Sequence, residues 1–334
     1  MSNAIQNRSF FQNIKPQQII DKPVYGHTTS SSEIITIQIN QTGSTIVLSR
    51  TDKSIRIWKT YPDRIGDTIT IENAHGNNKT IESIAFNPKF DCQFATVAKD
   101  EYIKIWKGQN GQLENSIKTN SNGLKLIKYS NDGEICSCID NEKQISFFNV
   151  SKNYKFIHKI QLEDYVYDLR WFNLNHDYFI CGLHNGIIKL FKFEFELDKL
   201  ILKKELLGHK SSITSIAINP RGSYFCCGSQ EGSVSIWNTQ EFLNLKNISD
   251  VDQSIANLDI SRDGTYIGIS YDKSSNIKLY DYQSSEVIFE IPNTSSGNMT
   301  YSIVKWFPNK TSLCYSSNHG TTLTVMLKTT VNHR

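Results

Sequence analysis

The sequence predicts an all-β protein in which seven similar sheets close into a ring, the architecture called a β-propeller. Three observations predict this fold class. A unit of short apolar strands and polar turns recurs along the 334 residues, its third strand ends in an aromatic residue in every copy but the last, and long helical patterns are absent. Strands without helices between them form a sandwich, a barrel or a propeller. The long repeat selects the propeller, because one blade takes about 40–45 residues.

The first copy shows the elements of the unit in order. It reads as strand, turn, strand, turn and strand over residues 34–39, 41–43, 45–49, 51–53 and 54–58. The third strand, Ile55-Arg56-Ile57-Trp58, alternates apolar and polar residues with a period of two, apart from its final aromatic. This period indicates a strand with one buried face.

Later copies repeat the unit and place glycine where its turns are tight. The third strands end roughly 42–48 residues apart, at Trp58, Trp106, Phe148, Phe191, Trp237, Tyr280 and, in the last copy, near Val325. The turns Asn131-Asp132-Gly133, Pro220-Arg221-Gly222 and Arg262-Asp263-Gly264 separate first from second strands. Glycine and asparagine there permit the positive φ that tight hairpins need.

The two ends of the chain complement each other. The last copy has three strands, within residues 301–306, 312–316 and 321–328, and lacks a fourth. The segment 10–24 precedes the first copy and can supply that strand, with Gln17-Gln18-Ile19-Ile20 as the candidate. Closure removes the exposed sheet edges of an open ring. We therefore expect an N-terminal segment, 1–24, that includes the closing strand, followed by a seven-bladed propeller over 25–334.

Composition gives no signal for nucleic acid, metal or membrane. The net charge of +3 and the pI of 8.3 lie below the pI of about 9 that is typical of nucleic-acid binders. The seven cysteines form no CxxC pair and lie mostly in apolar runs, which favours buried thiols in a reducing compartment. No apolar run approaches the roughly 18 residues that span a bilayer, and residues 1–18 show no signal peptide. We expect an intracellular protein.

Motifs that carry catalysis or bind cofactors are also missing from the sequence. It contains no GxGxxG, P-loop, GxSxG or HExxH pattern. The adjacent acids Glu163-Asp164 are read as a solvated turn, and His176 and His184 as surface or turn residues. Trp171 and Trp306 end first strands and are expected in the core. The prediction is a protein that is not an enzyme, with no catalytic, metal-binding or cofactor-binding residues and no small-molecule substrate.

Short motifs at the blade boundaries resemble the WD40-repeat family. That family has Gly-His before a first strand and an aromatic-Asp pair after a third. This chain has Gly26-His27, Gly208-His209 and the weakened Ala74-His75, while Trp58, Trp106 and Trp237 are followed by Lys or Asn and Tyr280 by Asp281. The resemblance implies a buried structural network in three blades, formed by His27, Asp52 and Trp58; by His75, Asp100 and Trp106; and by His209, Glu231 and Trp237. There the imidazole donates to the acid while the indole packs and donates nearby. Phe148, Phe191 and Tyr280 are expected to hold their blades by packing alone.

The fourth copy contains an unusually long hairpin with many apolar residues around its tip. Its candidate partner-binding residues are Phe193, Phe195, Leu197, Leu200 and Leu202. Such a concentration of apolar side chains is typical of a docking edge. The alternative is a hairpin that packs against its own neighbour.

The order of intact and degenerate copies resembles the divergent WD40 subunits of the THO complex, best over residues 117–150 and onward through 167–173 and 208–237. The resemblance implies a non-catalytic nuclear subunit that couples transcription to mRNP assembly and mRNA export. Its partners would be large helical THO scaffold subunits and, indirectly, an RNA helicase and export adaptors. One alternative is a scaffold or reader subunit of a chromatin-modifying complex, which reads a peptide Arg or Lys in an acidic central cavity. The other is a propeller hydrolase with metal-ligand carboxylates in its channel.

Overall fold

The computed structural model of the chain is an all-β, seven-bladed propeller around a central channel. The structure describes residues 9–19, 21, 32–62, 64–76, 78–121, 123–174, 176–194, 197, 199–272, 276–292, 302–318 and 320–327. Each blade is a four-stranded antiparallel sheet, and the first strands of neighbouring blades lie side by side at the centre. The prediction of a seven-bladed propeller closed by an N-terminal strand is confirmed.

The strands of blades 1 to 6 follow one another from the channel to the rim in chain order. Blades 1 to 3 comprise Ile34–Ile39, Thr45–Arg50, Ile55–Thr60 and Ile65–Ile71; Ile81–Phe86, Gln93–Ala98, Tyr102–Lys107 and Leu113–Lys118; and Leu124–Tyr129, Ile135–Asp140, Gln144–Asn149 and Lys155–Gln161. Blades 4 to 6 comprise Val166–Trp171, Tyr178–Leu183, Ile187–Glu194 and Lys199–Leu207; Ile213–Ile218, Tyr224–Ser229, Val234–Asn238 and Asn244–Ile248; and Ile255–Ile260, Tyr266–Tyr271, Ile277–Asp281 and Val287–Ile291. Blade 7 comprises Val304–Trp306, Leu313–Ser317, Thr322–Met326 and the N-terminal strand Pro16–Ile19.

The N-terminal strand closes the ring as the outer strand of blade 7. Pro16–Ile19 pairs antiparallel with Thr322–Met326, with Gln17 opposite Val325. Upstream of it, the fully buried Phe11 packs edge-on against Tyr266 of blade 6, with the ring centroids 5.1 Å apart. Residues 11–19 are therefore anchored by both main-chain pairing and an aromatic contact.

The core lies between the blades rather than within any one of them. The second strands are the most buried: all residues of Thr45–Arg50, Ile135–Asp140 and Tyr266–Tyr271 are buried, because a sheet covers each of their faces. One apolar cluster joins Val97 of blade 2 to Phe148 of blade 3. A blade alone could not bury these side chains, so stacking holds the ring together.

The turns follow the chemistry that the sequence predicts. Gly133, Gly222 and Gly264 have φ values of 72°, 73° and 74°, in the left-handed region that side chains with a Cβ disfavour. Six of the seven cysteines are buried, and burial raises the pKa of Cys181 to about 12. They pack as small neutral side chains. None of the helices in the described segments is long and apolar enough to cross a membrane.

Candidate functional site

Blade 5 contains a continuous hydrogen-bond network that links its first turn to its tryptophan. His209 Nδ1 lies 2.9 Å from Glu231 Oε1, and His209 Nε2 lies 2.6 Å from Ser235 Oγ. Trp237 Nε1 donates to the same Ser235 oxygen at 2.7 Å. A neutral imidazole protonated at Nδ1 satisfies every group, because the indole donates to the serine, the serine to the imidazole and the imidazole to the carboxylate. Burial raises the pKa of Glu231, but hydrogen bonds from His209 and Ser233 hold it below its usual range.

Blade 2 has the same network with a hydroxyl from a different strand. His75 Nδ1 lies 2.8 Å from Asp100 Oδ2, and Nε2 lies 2.8 Å from Thr96 Oγ1. Trp106 Nε1 donates to that threonine at 2.8 Å. Thr96 lies on the second strand, ten residues before the tryptophan, whereas Ser235 lies on the third strand, two residues before it. The sequence prediction identified the His, the acid and the Trp, but it missed the hydroxyl that joins them.

Blade 1 departs from this arrangement. His27 lies outside the described residues. Asp52 accepts from the Ser54 backbone N–H at 3.0 Å, and Arg56 Nη2 lies 3.5 Å from its other oxygen. The buried Trp58 Nε1 has no hydrogen-bond partner among the described residues. The two positions that supply the hydroxyl in blades 2 and 5 hold Leu48 and Arg56 here, so neither can accept from the indole.

The prediction that Tyr280 holds blade 6 by packing alone is wrong. The Tyr280 hydroxyl donates to Asp250 Oδ1 at 2.6 Å and lies 2.9 Å from the Tyr271 hydroxyl. A phenol has a polar atom at its tip that reaches the loop carboxylate, which a phenylalanine lacks. Burial and the neighbouring Tyr271 raise the pKa of Tyr280. By contrast, Phe191 stacks on Phe179 with ring centroids 5.3 Å apart.

The long hairpin of blade 4 is present, but only part of its apolar surface is exposed. Phe193 is fully buried, with its ring centroid 5.3 Å from that of Phe147 in blade 3. Phe193 therefore belongs to the core, and its prediction as a partner-binding residue is corrected. Leu200 is half-buried against the same core. Leu197 and Leu202 are 69% and 45% exposed, and Phe195 lies outside the described residues.

The hairpin of blade 4 presents exposed leucines at its tip and on its outer strand, here called the outer-edge patch: Leu197, Leu202 and Leu207. Leu207, which the sequence prediction did not include, is 79% exposed. Leu202 pairs with Phe191 and Leu207 with Ile187 across the hairpin, and a β-bulge absorbs one residue between these pairs. Because paired residues share a face, the bulge places Leu202 and Leu207 on one face despite their odd spacing.

The channel is lined by two rings of side chains, from alternate positions of the inner strands and, in blade 7, also from Ile303 directly before the strand. The upper ring contains Thr36, Ser83, Leu126, Asp168, Ser215, Asn257 and Ile303, and the lower ring contains Gln38, Ala85, Lys128, Arg170, Ala217, Asp259 and Lys305. The two rings hold three cationic side chains and two acidic ones. The acidic cavity that a chromatin-reader propeller requires is therefore not formed by the described residues.

Both channel carboxylates have structural partners. Asp168 accepts from the Ile216 backbone N–H at 2.9 Å and lies 3.0 Å from Arg170. Asp259 accepts from the Trp306 N–H at 2.7 Å and lies 3.4 Å from Lys305. The two backbone bonds tie the inner strands of blades 4 and 6 to the next blade, because each donor and its acceptor belong to neighbouring sheets. The Asp168–Arg170 pair lies within one strand.

The other side chains that the sequence analysis considered lie in the core or make polar contacts with neighbouring side chains. Trp171 and Trp306 are buried in the core. Glu163 pairs with Lys189 at 2.6 Å, and His184 contacts the Ser212 hydroxyl at 2.8 Å. Within the described ranges, no three His, Cys, Asp or Glu side chains are grouped to hold a metal ion.

Comparison with known proteins identifies the class of repeat. A model of the family described as "WD domain, G-beta repeat" matches residues 201–238, which take in most of the outer strand of blade 4 and the first three strands of blade 5. The matched repeat lies within a ring of seven four-stranded sheets, so the chain is a seven-bladed β-propeller that contains a WD40 repeat.

Individual relatives are similar at low identity over most of the chain. The chain is 22% identical to THO complex subunit 3 of Arabidopsis thaliana over 279 residues, which cover 84% of each protein. It is 23% identical to Protein TEX1 of Saccharomyces cerevisiae, over 87% of this chain and 71% of that protein. It is 24% identical to Pre-mRNA-processing factor 17 of the same yeast, over 81% of this chain and 59% of that protein. The resemblance to WD40 proteins and to the THO subunit, which the motifs indicated, is thereby confirmed.

Proposed function

We propose that this chain is the WD40 subunit of a THO-type complex, a nuclear, non-catalytic protein that couples transcription to mRNP assembly and mRNA export. The similarity to THO complex subunit 3 carries this proposal, because it extends over 84% of both proteins. A match confined to one repeat would reflect only the shared fold.

A non-catalytic role is supported by how the most reactive-looking side chains are used. His75 and His209 each have both ring nitrogens engaged in the blade networks, with the carboxylate on one side and a hydroxyl on the other. General acid–base chemistry needs such a group within reach of a substrate proton. These imidazoles instead hold strands together.

The outer-edge patch is the proposed docking surface for a helical scaffold subunit of the complex. Its strand, Lys199–Leu207, has nine residues, against five to seven in the outer strands of blades 1, 2, 3, 5 and 6. Exposed leucines at the hairpin tip, and at the middle and the end of this strand, would pack against an apolar stripe on a partner helix. Through that scaffold the chain would be linked to an RNA helicase and export adaptors.

The test is affinity purification of the tagged chain from its native cell, comparing a Leu202→Asp, Leu207→Asp variant with wild type. The matched control is Leu243→Asp, Leu245→Asp, which places two charges at leucines near the rim of blade 5 that are 54% and 48% exposed. We expect THO-type subunits with the wild type and the control, and their loss from the patch variant. All three proteins should melt within a few degrees of one another, since exposed substitutions cost little.

Two results would argue against the proposal. Recovery of a splicing assembly in place of THO-type subunits would favour the alternative drawn from the similarity to Pre-mRNA-processing factor 17. Recovery of THO-type subunits with the patch variant would show that the outer-edge patch is not the docking surface. The assignment to a THO-type complex would then still stand.

A further inference from the structure

The channel opens into a cavity on the face that carries the turns between first and second strands. The cavity has a volume of about 650 Å³, within the range of sites that bind small ligands or a few peptide residues. Ala85 and Ala217 occupy two of the seven lower-ring positions. Since these positions point into the channel, the two short side chains leave room among the longer ones.

One cation in this cavity has no ion-pair partner among the described residues. Arg170 pairs with Asp168 and donates to the Ile216 carbonyl oxygen at 2.8 Å, and Lys305 pairs with Asp259. Lys128 has neither an ion-pair partner nor a side-chain hydrogen bond in the part of the chain that the structure describes. It is half-buried, and such a charge is costly when nothing balances it.

The environment of Lys128 disfavours its charged form. Burial and the neighbouring Arg170 charge lower its pKa to about 7, with Lys305 acting in the same direction and Asp168 and Asp259 opposing it. A bound anion would restore the ammonium form, because an opposite charge within a few ångströms stabilises the charged state.

We propose that this channel mouth binds a carboxylate of an acidic peptide segment from a protein partner, with Lys128 as its counter-ion and Gln38 as a hydrogen-bonding side chain beside it. Gln38 lies in the lower ring, and no described side chain occupies its amide. His176 at the rim is exposed and offers a further polar contact to the peptide.

The geometry favours a peptide over single-stranded RNA. RNA-binding sites stack bases on exposed aromatic rings and follow the backbone with several free cations. Here Tyr129 and Trp171 line the cavity but are only 7% and 4% exposed, and only Lys128 among the three cations lacks a partner in the described structure. One carboxylate, rather than a run of phosphates, matches this charge. The site lies at the channel, whereas the outer-edge patch lies at the rim, so the chain can hold two partners at once.

The test uses the purified full-length chain and two labelled peptides, hexaglutamate and hexaglutamine, in fluorescence anisotropy at low salt. We expect saturable binding of hexaglutamate, none of hexaglutamine, and a loss of at least about tenfold in affinity for Lys128→Met. The matched control is Lys125→Met on the same strand, whose exposed lysine lies over the Tyr165 ring outside the cavity. It should bind as wild type does, and thermal melting checks that each variant is folded.

A second measurement does not depend on a variant. Acetylation of the lysines by a limiting reagent, read by mass spectrometry, should modify Lys128 in the free chain and spare it when hexaglutamate is bound. Equal modification in both states, undiminished binding by Lys128→Met, or tighter Lys128-dependent binding of an oligouridylate than of hexaglutamate would each overturn the proposal. None of these results bears on the outer-edge patch, since the experiment contains no other subunit.

Discussion

Arg50 of blade 1 donates a hydrogen bond to the backbone carbonyl oxygen of Thr321 in the last blade at 2.9 Å. The same guanidinium donates to the Ser32 carbonyl and pairs with Asp21, just beyond the closing strand. Arg50 is 3% exposed. One side chain therefore joins the beginning, the first blade and the last blade of the ring.

Removing this guanidinium should weaken closure. Arg50→Met leaves buried carbonyls and Asp21 without their main partner, and the loss of one member of a buried ion pair costs about 3–5 kcal/mol. Denaturant unfolding measures the change, and limited proteolysis should cut near the N-terminal strand more rapidly. Lys99→Met, which removes an exposed pair with Glu82 at 3.4 Å, should cost at most about 1 kcal/mol. Equal stability of the two variants would disprove the role of Arg50.

The Ser235 hydroxyl of the blade 5 network should contribute clearly to the stability of the fold. Ser235→Ala leaves the Trp237 N–H and His209 Nε2 without their shared partner, so we expect a loss of about 1–3 kcal/mol in the free energy of unfolding. Trp237→Phe removes the indole donor and should cost less in the Ser235→Ala background than in wild type. Additive costs in this double-mutant cycle would show that the two groups do not interact.

The phenol of blade 6 provides a parallel test. Tyr280→Phe keeps the ring but removes the bond to Asp250, and we expect a loss of about 1–3 kcal/mol. Tyr165→Phe changes a tyrosine that is 43% exposed and should be nearly neutral. If both variants unfold at the same denaturant concentration, packing alone would account for Tyr280 after all.

Lys128 should make stability depend on pH in a definite direction. In the unfolded chain this lysine keeps its proton up to about 10.5, but in the folded chain it releases it near pH 7. The unfolded state thus binds more protons between these values, and stability rises with pH across the window. Lys128→Met should therefore raise the Tm most at pH 6, with a gain that narrows toward pH 10. A lower Tm than wild type at pH 6 would contradict this assignment.

The strand architecture could be predicted because its causes are local. Period-two alternation marks the strands, and Gly133 and Gly222 mark turns that need a positive φ. The closing strand was predictable because the last blade lacks a partner that the N-terminal segment can supply. The strands and turns depend on residues close together in sequence, whereas the closing strand follows from the match between the N-terminal segment and the last blade.

The details that could not be predicted depend on contacts between distant segments. Thr96 and Ser235 serve the same purpose from different strands, so no fixed spacing reveals both. The alternation around Phe193 predicts on which face of the sheet its side chain lies. The burial of that side chain, however, depends on Phe147 from the preceding blade. That Lys128 has no partner in the described part of the chain likewise depends on which inner strands flank it.

The most direct measurement of the proposed role is cross-linking mass spectrometry of the native assembly that contains this chain. Lys199, Lys203 and Lys204 flank the leucines of the outer-edge patch on the same exposed strand. We predict that these lysines cross-link to a helical subunit of a THO-type complex, more often than Lys118, Lys155 and Lys159 on the outer strands of blades 2 and 3. Cross-links from these three lysines only within the chain itself, or an assembly without THO-type subunits, would contradict the proposal.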